Sequence, residues 1–299
     1  MKKIKQLQIW TRIPNSEQEQ LTECSRYDDK GQLLFHESFT INGQLQGREV
    51  YEYDAEGKLI SEYYNFSGKD WDEVHQYEYG ADLKPISKTI KYADGSHTKF
   101  QHQYDTEQRT LVIEALGADG DQEEKIVREY DENGLLIRED SYRWGDLRTS
   151  NLYLFDDQKR LIVEEQHDVD GLIERKEVIY FESGKTKERR VFDRKMQLSA
   201  IIHNEVDEQG RVIKQTSKDR NLPYNNFVLQ HSYNEEERQQ VTKVIDAQGG
   251  LVSEKTLWHD ADGMVVKEQI KSRKTSQFDL SRDHNAKDEL LRYNYEFWD

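Results

Sequence analysis

Cysteine and proline are scarce in this chain: Cys24 is the single cysteine, and only 3 prolines occur among 299 residues. One cysteine excludes an intrachain disulfide. No apolar run approaches the roughly 18 residues of a membrane-spanning helix, and the N-terminus has the pattern of a strand instead of a signal peptide. We therefore expect a cytoplasmic protein. No proline- or serine-rich linker interrupts residues 1–299, so we expect a single domain.

Apolar residues and basic charge are also in short supply. Hydrophobic residues make up 34% of the chain, the same share as charged residues, which argues against a thick core. Yet 17 Tyr, 10 Phe and 5 Trp are too many for a disordered acidic chain. The net charge of −16 disfavours nucleic acid as a partner, because its binding needs basic side chains against phosphates. The same charge favours a basic partner.

Motifs for catalysis and for metal binding are missing. The 9 histidines are dispersed without zinc-motif spacing, and no phosphate loop or dinucleotide fingerprint occurs. The Asp-rich loops at 117–121, 168–171 and 260–263 resemble calcium loops but lack the long ligand pattern, and ordinary turn chemistry explains them. We predict no enzyme activity, no cofactor and no metal site.

What the sequence does contain is a Tyr-Asp signal that returns every 25 to 27 residues, a period typical of repeat architectures. The repeat reads Tyr-Asp-x-x-Gly-x-Leu, as at 53–59 and 130–136. Asp opens a tight turn by bonding the backbone two residues on, and Gly tolerates positive φ at the end of the turn. We call the Tyr position the anchor. Its occupants are Tyr27, Tyr53, Tyr79, Tyr104, Tyr130, Phe155, Tyr180, Val206, Tyr233, His259 and His284.

A second, looser turn signal lies about halfway between anchors, as at Asn42-Gly43 and Asp94-Gly95. Two turns in each repeat leave two runs of strand length, so each repeat of about 26 residues is predicted to be a β-hairpin. We therefore predict an all-β antiparallel meander of about 20 strands, in an elongated, curled or spiralling sheet. A β-propeller is the alternative. The divisions are an N-terminal capping hairpin at 1–26, repeats at 27–284 and a C-terminal capping strand at 285–299.

The repeats at 53–62 and 130–139 resemble the YD repeat of bacterial Rhs proteins. Rhs proteins use such repeats to build a spiralling β-sheet shell around a toxic C-terminal domain. This chain is too short for a full shell, has a longer repeat and ends in a predicted strand instead of a toxin domain. It is similar in this to short repeat antitoxins of the YwqK type, and that resemblance implies a protein that neutralises a toxin.

The variable turns are where we expect specific binding. Anchor turns repeat because they build the fold, whereas the turns halfway between anchors vary, and functional residues concentrate on loops held by a scaffold. Aromatic residues near these variable turns are our candidate partner-binding residues, with simple cover of the sheet as the alternative role. They are Phe66, Trp71, Tyr142, Trp144, Phe192, Tyr224 and Phe227.

The sequence thus predicts a non-enzymatic cytoplasmic protein that binds another protein. The expected role is immunity against a secreted bacterial toxin, with a basic toxin domain as partner and neither nucleic acid nor membrane involved. Two alternatives stay open. One is a structural scaffold that self-assembles like a shell fragment, and the other is a carbohydrate-binding module with Trp71 and Trp144 as stacking platforms.

Overall fold

The computed structural model describes residues 3–13, 16–66, 71–272 and 288–298. These ranges form 22 β-strands and one short 3-10 helix, which confirms the predicted all-β meander of about 20 strands. Within them, no helix is long and apolar enough to cross a membrane. The turns predicted at Pro14-Asn15 and Ser67-Gly68 and the anchor His284 lie outside the described residues.

Strands follow one another in chain order, and consecutive strands pair. The first eleven are β1 Ile4–Arg12, β2 Glu19–Tyr27, β3 Leu33–Phe39, β4 Leu45–Tyr53, β5 Leu59–Asn65, β6 Glu73–Tyr79, β7 Pro85–Tyr92, β8 His97–Asp105, β9 Thr110–Leu116, β10 Gln122–Tyr130 and β11 Leu136–Arg143. The others are β12 Asp146–Phe155, β13 Leu161–Asp168, β14 Gly171–Tyr180, β15 Thr186–Phe192, β16 Leu198–Val206, β17 Val212–Asp219, β18 Phe227–Asn234, β19 Gln239–Asp246, β20 Leu251–His259, β21 Val265–Ser272 and β22 Asp288–Phe297. The 3-10 helix, Pro223–Asn225, lies between β17 and β18.

The strands belong to two compact units. Unit 1 comprises Met1–Gln8, Leu21–Ile173 and Tyr295–Asp299, and unit 2 comprises Ile9–Gln20 and Glu174–Asn294. Both units are built from the same predicted hairpins, with antiparallel pairing throughout the described ladders. The single-domain organisation expected from the sequence stays a prediction.

The first strand pairs with the second and also with the last. β1 neighbours β2 on one side and β22 on the other. The backbone N–H of Trp298 donates to the carbonyl oxygen of Lys3 at 3.0 Å, and Lys5 Nζ lies 2.6 Å from Glu296 Oε1. The order of pairing is therefore closed, which is the topology of an up-and-down β-barrel. The predictions of an open curled or spiralling sheet and of a propeller are both wrong. Closure satisfies the backbone N–H and C=O groups that terminal strands would otherwise leave unpaired.

This closure predicts that a chemical cross-linker can join residues near the two ends of the sequence. A carbodiimide joins amines to carboxylates that are in contact, so it should couple Lys5 to Glu296, whose charged atoms are 2.6 Å apart. Mass spectrometry of a proteolytic digest would detect the joined peptide, and Lys5→Arg is the control that cannot couple. Closure would be contradicted if this peptide were missing while the Lys255–Glu268 pair, at 2.7 Å, was coupled in the same sample.

Anchor turns have the hydrogen bonds that the repeat predicted. The carboxylate of Asp28 accepts from the backbone N–H groups of Lys30 at 2.9 Å and Gln32 at 2.8 Å. Gly31 completes the turn with φ of 89°, a conformation that costs glycine little. Asp131 repeats this arrangement with its own turn. The Asp-x-x-Gly pattern in the sequence therefore marks the position of the turn.

Four of the anchor tyrosines tie their repeat to the one before it. The hydroxyl of Tyr53 donates to the carbonyl oxygen of Leu33 at 2.9 Å, and the hydroxyl of Tyr79 donates to that of Leu59 at 2.8 Å. Each acceptor lies six residues after the preceding anchor. Two further anchors make the equivalent bond, Tyr104 to Pro85 and Tyr233 to Val212. The anchor is therefore a polar connection as well as a packed ring.

A basic side chain five residues after one anchor lies over the ring of the next. The pairs are Lys58 over Tyr79 at 5.5 Å, Lys84 over Tyr104 at 4.8 Å and Arg211 over Tyr233 at 4.4 Å. Such cation–π contacts add to the inter-repeat packing. The recurrence of Lys or Arg at this position was the sequence signal for them.

The hydrophobic core is thin. Among the described residues, the buried apolar side chains are Cys24, Leu111, Ala115 and Val163. Burial raises the pKa of the Cys24 thiol more than the nearby Arg26 lowers it. A thiol held in its neutral form is a poor nucleophile, so Cys24 serves packing.

Candidate functional site

In each compact unit, the variable turns lie at the strand ends opposite the anchor turns; we call this the mid-repeat end. Four of the predicted aromatic residues are exposed there, namely Phe66 at 60%, Trp71 at 36%, Trp144 at 67% and Tyr224 at 49%. Three lie within strand ends and are half-buried, namely Tyr142 in β11, Phe192 in β15 and Phe227 in β18. Unit 1 holds Phe66, Trp71, Tyr142 and Trp144, and unit 2 holds Phe192, Tyr224 and Phe227. The predicted residues therefore lie at the mid-repeat ends of both units, but those of unit 1 are divided between the β5–β6 turn and the β11–β12 turn, six strands apart.

The aromatic residues that flank β5 and β6 rest on strand tyrosines. Trp71 packs against Tyr63 with ring centroids 5.4 Å apart, and Phe66 stacks on Tyr64 at 6.2 Å. The backbone N–H of Phe66 also donates to the carboxylate of Asp72. These contacts hold both exposed rings in place at the mid-repeat end.

Trp144 occupies an unusual backbone conformation. It has φ of 51° and Gly145 has φ of 85°, in a two-residue turn between paired Arg143 and Asp146. Positive φ at both central positions is the turn that Asn-Gly suits best. Tryptophan at such a position costs about 1–2 kcal/mol. The turn is nevertheless fixed, because the Trp144 N–H donates to the carbonyl oxygen of Glu123 at 3.0 Å, and the Arg143 guanidinium lies 4.6 Å from the ring centroid.

The strain at Trp144 predicts that replacing it stabilises the protein. Trp144→Asn should raise the free energy of unfolding by about 1 kcal/mol, because Asn tolerates the left-handed region. Trp144→Val should lower it, because a β-branched residue fits that region worst. Urea unfolding measures both changes. An asparagine variant no more stable than the parent would contradict the strained turn.

A pocket of about 540 Å³ opens at the mid-repeat end of unit 2. Its walls are the strand ends of β16 to β19 together with the segment that joins β17 to β18. Apolar side chains in the lining include Leu198, Ala200, Ile201, Phe227 and Val228. Charged side chains in the lining are Lys218, Asp219, Arg220 and Asp246. The sequence singled out Phe227 but gave no sign of the pocket.

The segment 220–226, whose end residues Arg220 and Asn226 line the pocket, is held by polar contacts. The carboxylate of Asp219 accepts from the backbone N–H groups of Asn221 and Leu222, each at 2.8 Å. The guanidinium of Arg220 donates to Asp193 at 3.2 Å, and so joins the segment to the neighbouring mid-repeat turn. The pocket thus lies beside an ordered turn that is longer than the two-residue turn at Trp144.

A polar network that the sequence did not reveal covers one face of β5 and β6 in unit 1. One carboxylate oxygen of Glu62 accepts from the hydroxyls of Tyr77 at 2.7 Å and Tyr64 at 3.1 Å, and lies 3.1 Å from Nδ1 of His75. Nε2 of the same histidine is 3.0 Å from Glu73. Strict alternation along both strands places these side chains on one face.

Electrostatics in this network favours the charged Glu62. Burial would raise the pKa of Glu62, but hydrogen bonds from Tyr77, Tyr64 and His75 outweigh it, and the pKa lies below its ordinary value. Burial, followed by the contact with Glu62, raises the pKa of Tyr77 and keeps its hydroxyl protonated. Because the hydroxyls of Tyr77 and Tyr64 and the ring of His75 all face carboxylates, the network is a structural element of the sheet.

The three Asp-rich loops have ordinary turn chemistry. Asp168 accepts from the backbone N–H of Asp170 at 2.9 Å, and Asp260 accepts from that of Asp262 at 2.9 Å. In the part of the chain that the structure describes, no group of three or more His, Cys, Asp or Glu side chains could hold a metal ion.

Comparisons with known proteins add little to these observations of the structure. A protein-family model described only as an uncharacterised protein matches residues 11–115. No curated protein matches the chain. A porin-like protein from Bacteroides uniformis ATCC 8492 is 10% identical, with 98% of this chain and 96% of that chain covered and a TM-score of 0.32. A porin-like protein from Bacteroides vulgatus ATCC 8482 is 12% identical, with 99% of each chain covered and a TM-score of 0.22.

A third solved structure is the pore of the Photorhabdus luminescens Tc holotoxin. It is 10% identical to this chain, with a TM-score of 0.28, and the match covers 89% of this chain and 19% of that chain. Such low TM-scores define neither the fold nor the function of this protein.

Proposed function

We propose that this protein is a non-enzymatic protein-binding repeat protein that acts in the cytoplasm as an immunity protein against a secreted bacterial toxin. The expected partner is a basic toxin domain. The mid-repeat end supplies the binding surface, and the anchor turns supply the scaffold.

The observation that carries this proposal is the pocket of unit 2, together with the exposed apolar side chains in its lining and in the adjoining segment 220–226. Leu198 lines the pocket and is 44% exposed, and Leu222 and Tyr224, which are 41% and 49% exposed, lie in the segment between the lining residues Arg220 and Asn226. A pocket beside a loop that carries exposed apolar side chains and is held by Asp219 and Arg220 is typical of surfaces where a partner inserts an anchor residue. The net charge of −16 supports a basic partner, because opposite charge accelerates encounter.

The closed strand order weakens the scaffold alternative. Self-assembly of β-proteins commonly proceeds by adding strands at free edges, and the pairing of β1 with β22 occupies those edges. The carbohydrate alternative needs open aromatic platforms at Trp71 and Trp144. Tyr63 packs against the first ring and the Arg143 guanidinium lies over the second, so part of each platform is already used.

The test is binding to the protein encoded by the neighbouring gene, measured by calorimetry. We expect one partner per chain and rescue of growth when both proteins are expressed together. Leu222→Ser combined with Tyr224→Ser should weaken binding by about tenfold or more, since interface anchors dominate affinity. Leu83→Asn is the matched control, because Leu83 is 62% exposed but lies in an anchor turn. Absence of binding to the neighbouring protein would contradict the proposal.

A further inference from the structure

We propose that a strip around Trp144, at the mid-repeat end of unit 1, binds a basic segment of the partner that also carries apolar side chains. We define the Trp144 strip as the turns 117–121, 144–145 and 169–170 with the strand ends beside them. This inference rests on the proposed function and adds the surface and the chemistry of what it binds.

Two large apolar side chains protrude from the strip. Trp144 exposes 67% of its surface and Val169 exposes 75%, the two highest values among the exposed large hydrophobic residues described. They lie in successive hairpin turns of unit 1, and two strand spacings place such turns about 10 Å apart. Exposed apolar side chains at this spacing suit an extended segment laid across the strand ends.

A backbone hydrogen bond fixes the Trp144 turn of the strip before any partner arrives. The bond from the Trp144 N–H to the Glu123 carbonyl links the turn at 144–145 to β10 of the preceding hairpin. A tryptophan fixed in this way loses little conformational freedom on binding, which favours affinity. The guanidinium of Arg143 over the ring further restricts the indole.

The charges around these two side chains identify the kind of partner. Exposed acidic residues of the strip are Asp119, Asp121, Glu123, Glu124, Asp146 and Asp170, against exposed Arg143 and Arg148. The one ion pair within this set is long, with Arg143 Nε 4.0 Å from Glu124 Oε1. The excess of carboxylates attracts Lys and Arg side chains, and the indole offers them a cation–π contact. An acidic segment would be repelled.

The probe for the test is an array of synthetic 12-residue peptides that combine Lys or Arg with Leu or Trp, beside the same peptides with Glu in place of the basic residues. The parent protein should retain basic peptides at least about tenfold more strongly than their acidic counterparts. Trp144→Asn should bind the basic peptides about tenfold more weakly than the parent does. It should still fold, because Asn-Gly suits the turn. Glu124→Lys with Asp146→Lys should weaken binding mainly at low salt. Leu83→Asn should bind like the parent.

Equal retention by the parent and by Trp144→Asn would overturn the inference, and so would failure to retain any basic peptide. Either result is distinct from failure of the proposed function. If the neighbouring protein binds the parent and Trp144→Asn equally well, the immunity role stands and the Trp144 strip is not its surface. If the neighbouring protein does not bind at all, the proposed function itself fails.

Discussion

Tyr53→Ala should lower the free energy of unfolding by about 3 kcal/mol, the largest stability loss that we expect from one anchor substitution. Two losses add. The ring leaves a half-buried position at the end of β4, and the hydroxyl no longer donates to the Leu33 carbonyl at 2.9 Å. Tyr53→Phe keeps the ring, so it should lose only about 1 kcal/mol.

Urea unfolding of the three proteins would separate the ring from the hydroxyl. The matched control is Tyr224→Ala, an exposed tyrosine of the mid-repeat end, which should change stability by less than about 0.5 kcal/mol. If Tyr53→Ala and Tyr224→Ala lower the free energy of unfolding by the same amount, the anchors are not the connections between repeats.

The second large effect is expected at Glu62, which accepts hydrogen bonds from Tyr77 and Tyr64 and lies beside His75. Glu62→Gln should lower the free energy of unfolding at neutral pH by about 2 kcal/mol, because hydrogen bonds to a charged acceptor are the stronger ones. The side chain is only 14% exposed, so solvent screens these contacts little.

The stability lost in Glu62→Gln should become smaller as the pH falls. The folded-state pKa of Glu62 lies below its ordinary value. Its contribution is therefore fully present above the unfolded pKa of about 4.3 and disappears as the pH falls through the folded value. Parent and Glu62→Gln should differ at pH 7 and converge in acid. A difference that stays constant from neutral pH to below the unfolded pKa would show that the charge of Glu62 does not stabilise the sheet.

Local signals in the sequence predicted the strands and turns well, because each repeat encodes its own hairpin. Asp28 and Gly31 make the turn that their residue types prefer. Closure could not be predicted in this way. It depends on contacts such as that of Lys5 with Glu296, and no pattern within one repeat records which strand lies beside the first.

The candidate sites were predictable only in part. The Trp144-Gly145 pair marked a turn, but the exposure of the indole depends on a positive φ that tryptophan seldom adopts. The pocket beside Phe227 depends on how the ends of four strands meet Arg220 and Asn226, which residue types alone do not fix. The Glu62 network could have been suspected from alternating Glu and Tyr, but its acceptor geometry could not.

The most direct test of the account is hydrogen–deuterium exchange of this protein with and without the protein encoded by its neighbouring gene. The central claim is that partners bind the mid-repeat end while the anchor turns serve the fold. We predict slower exchange on binding at 117–121, 143–146 and 220–226. Exchange at the anchor turns 28–32, 54–58 and 131–135 should not change. Protection confined to the anchor turns, with none at the mid-repeat turns, would contradict the account.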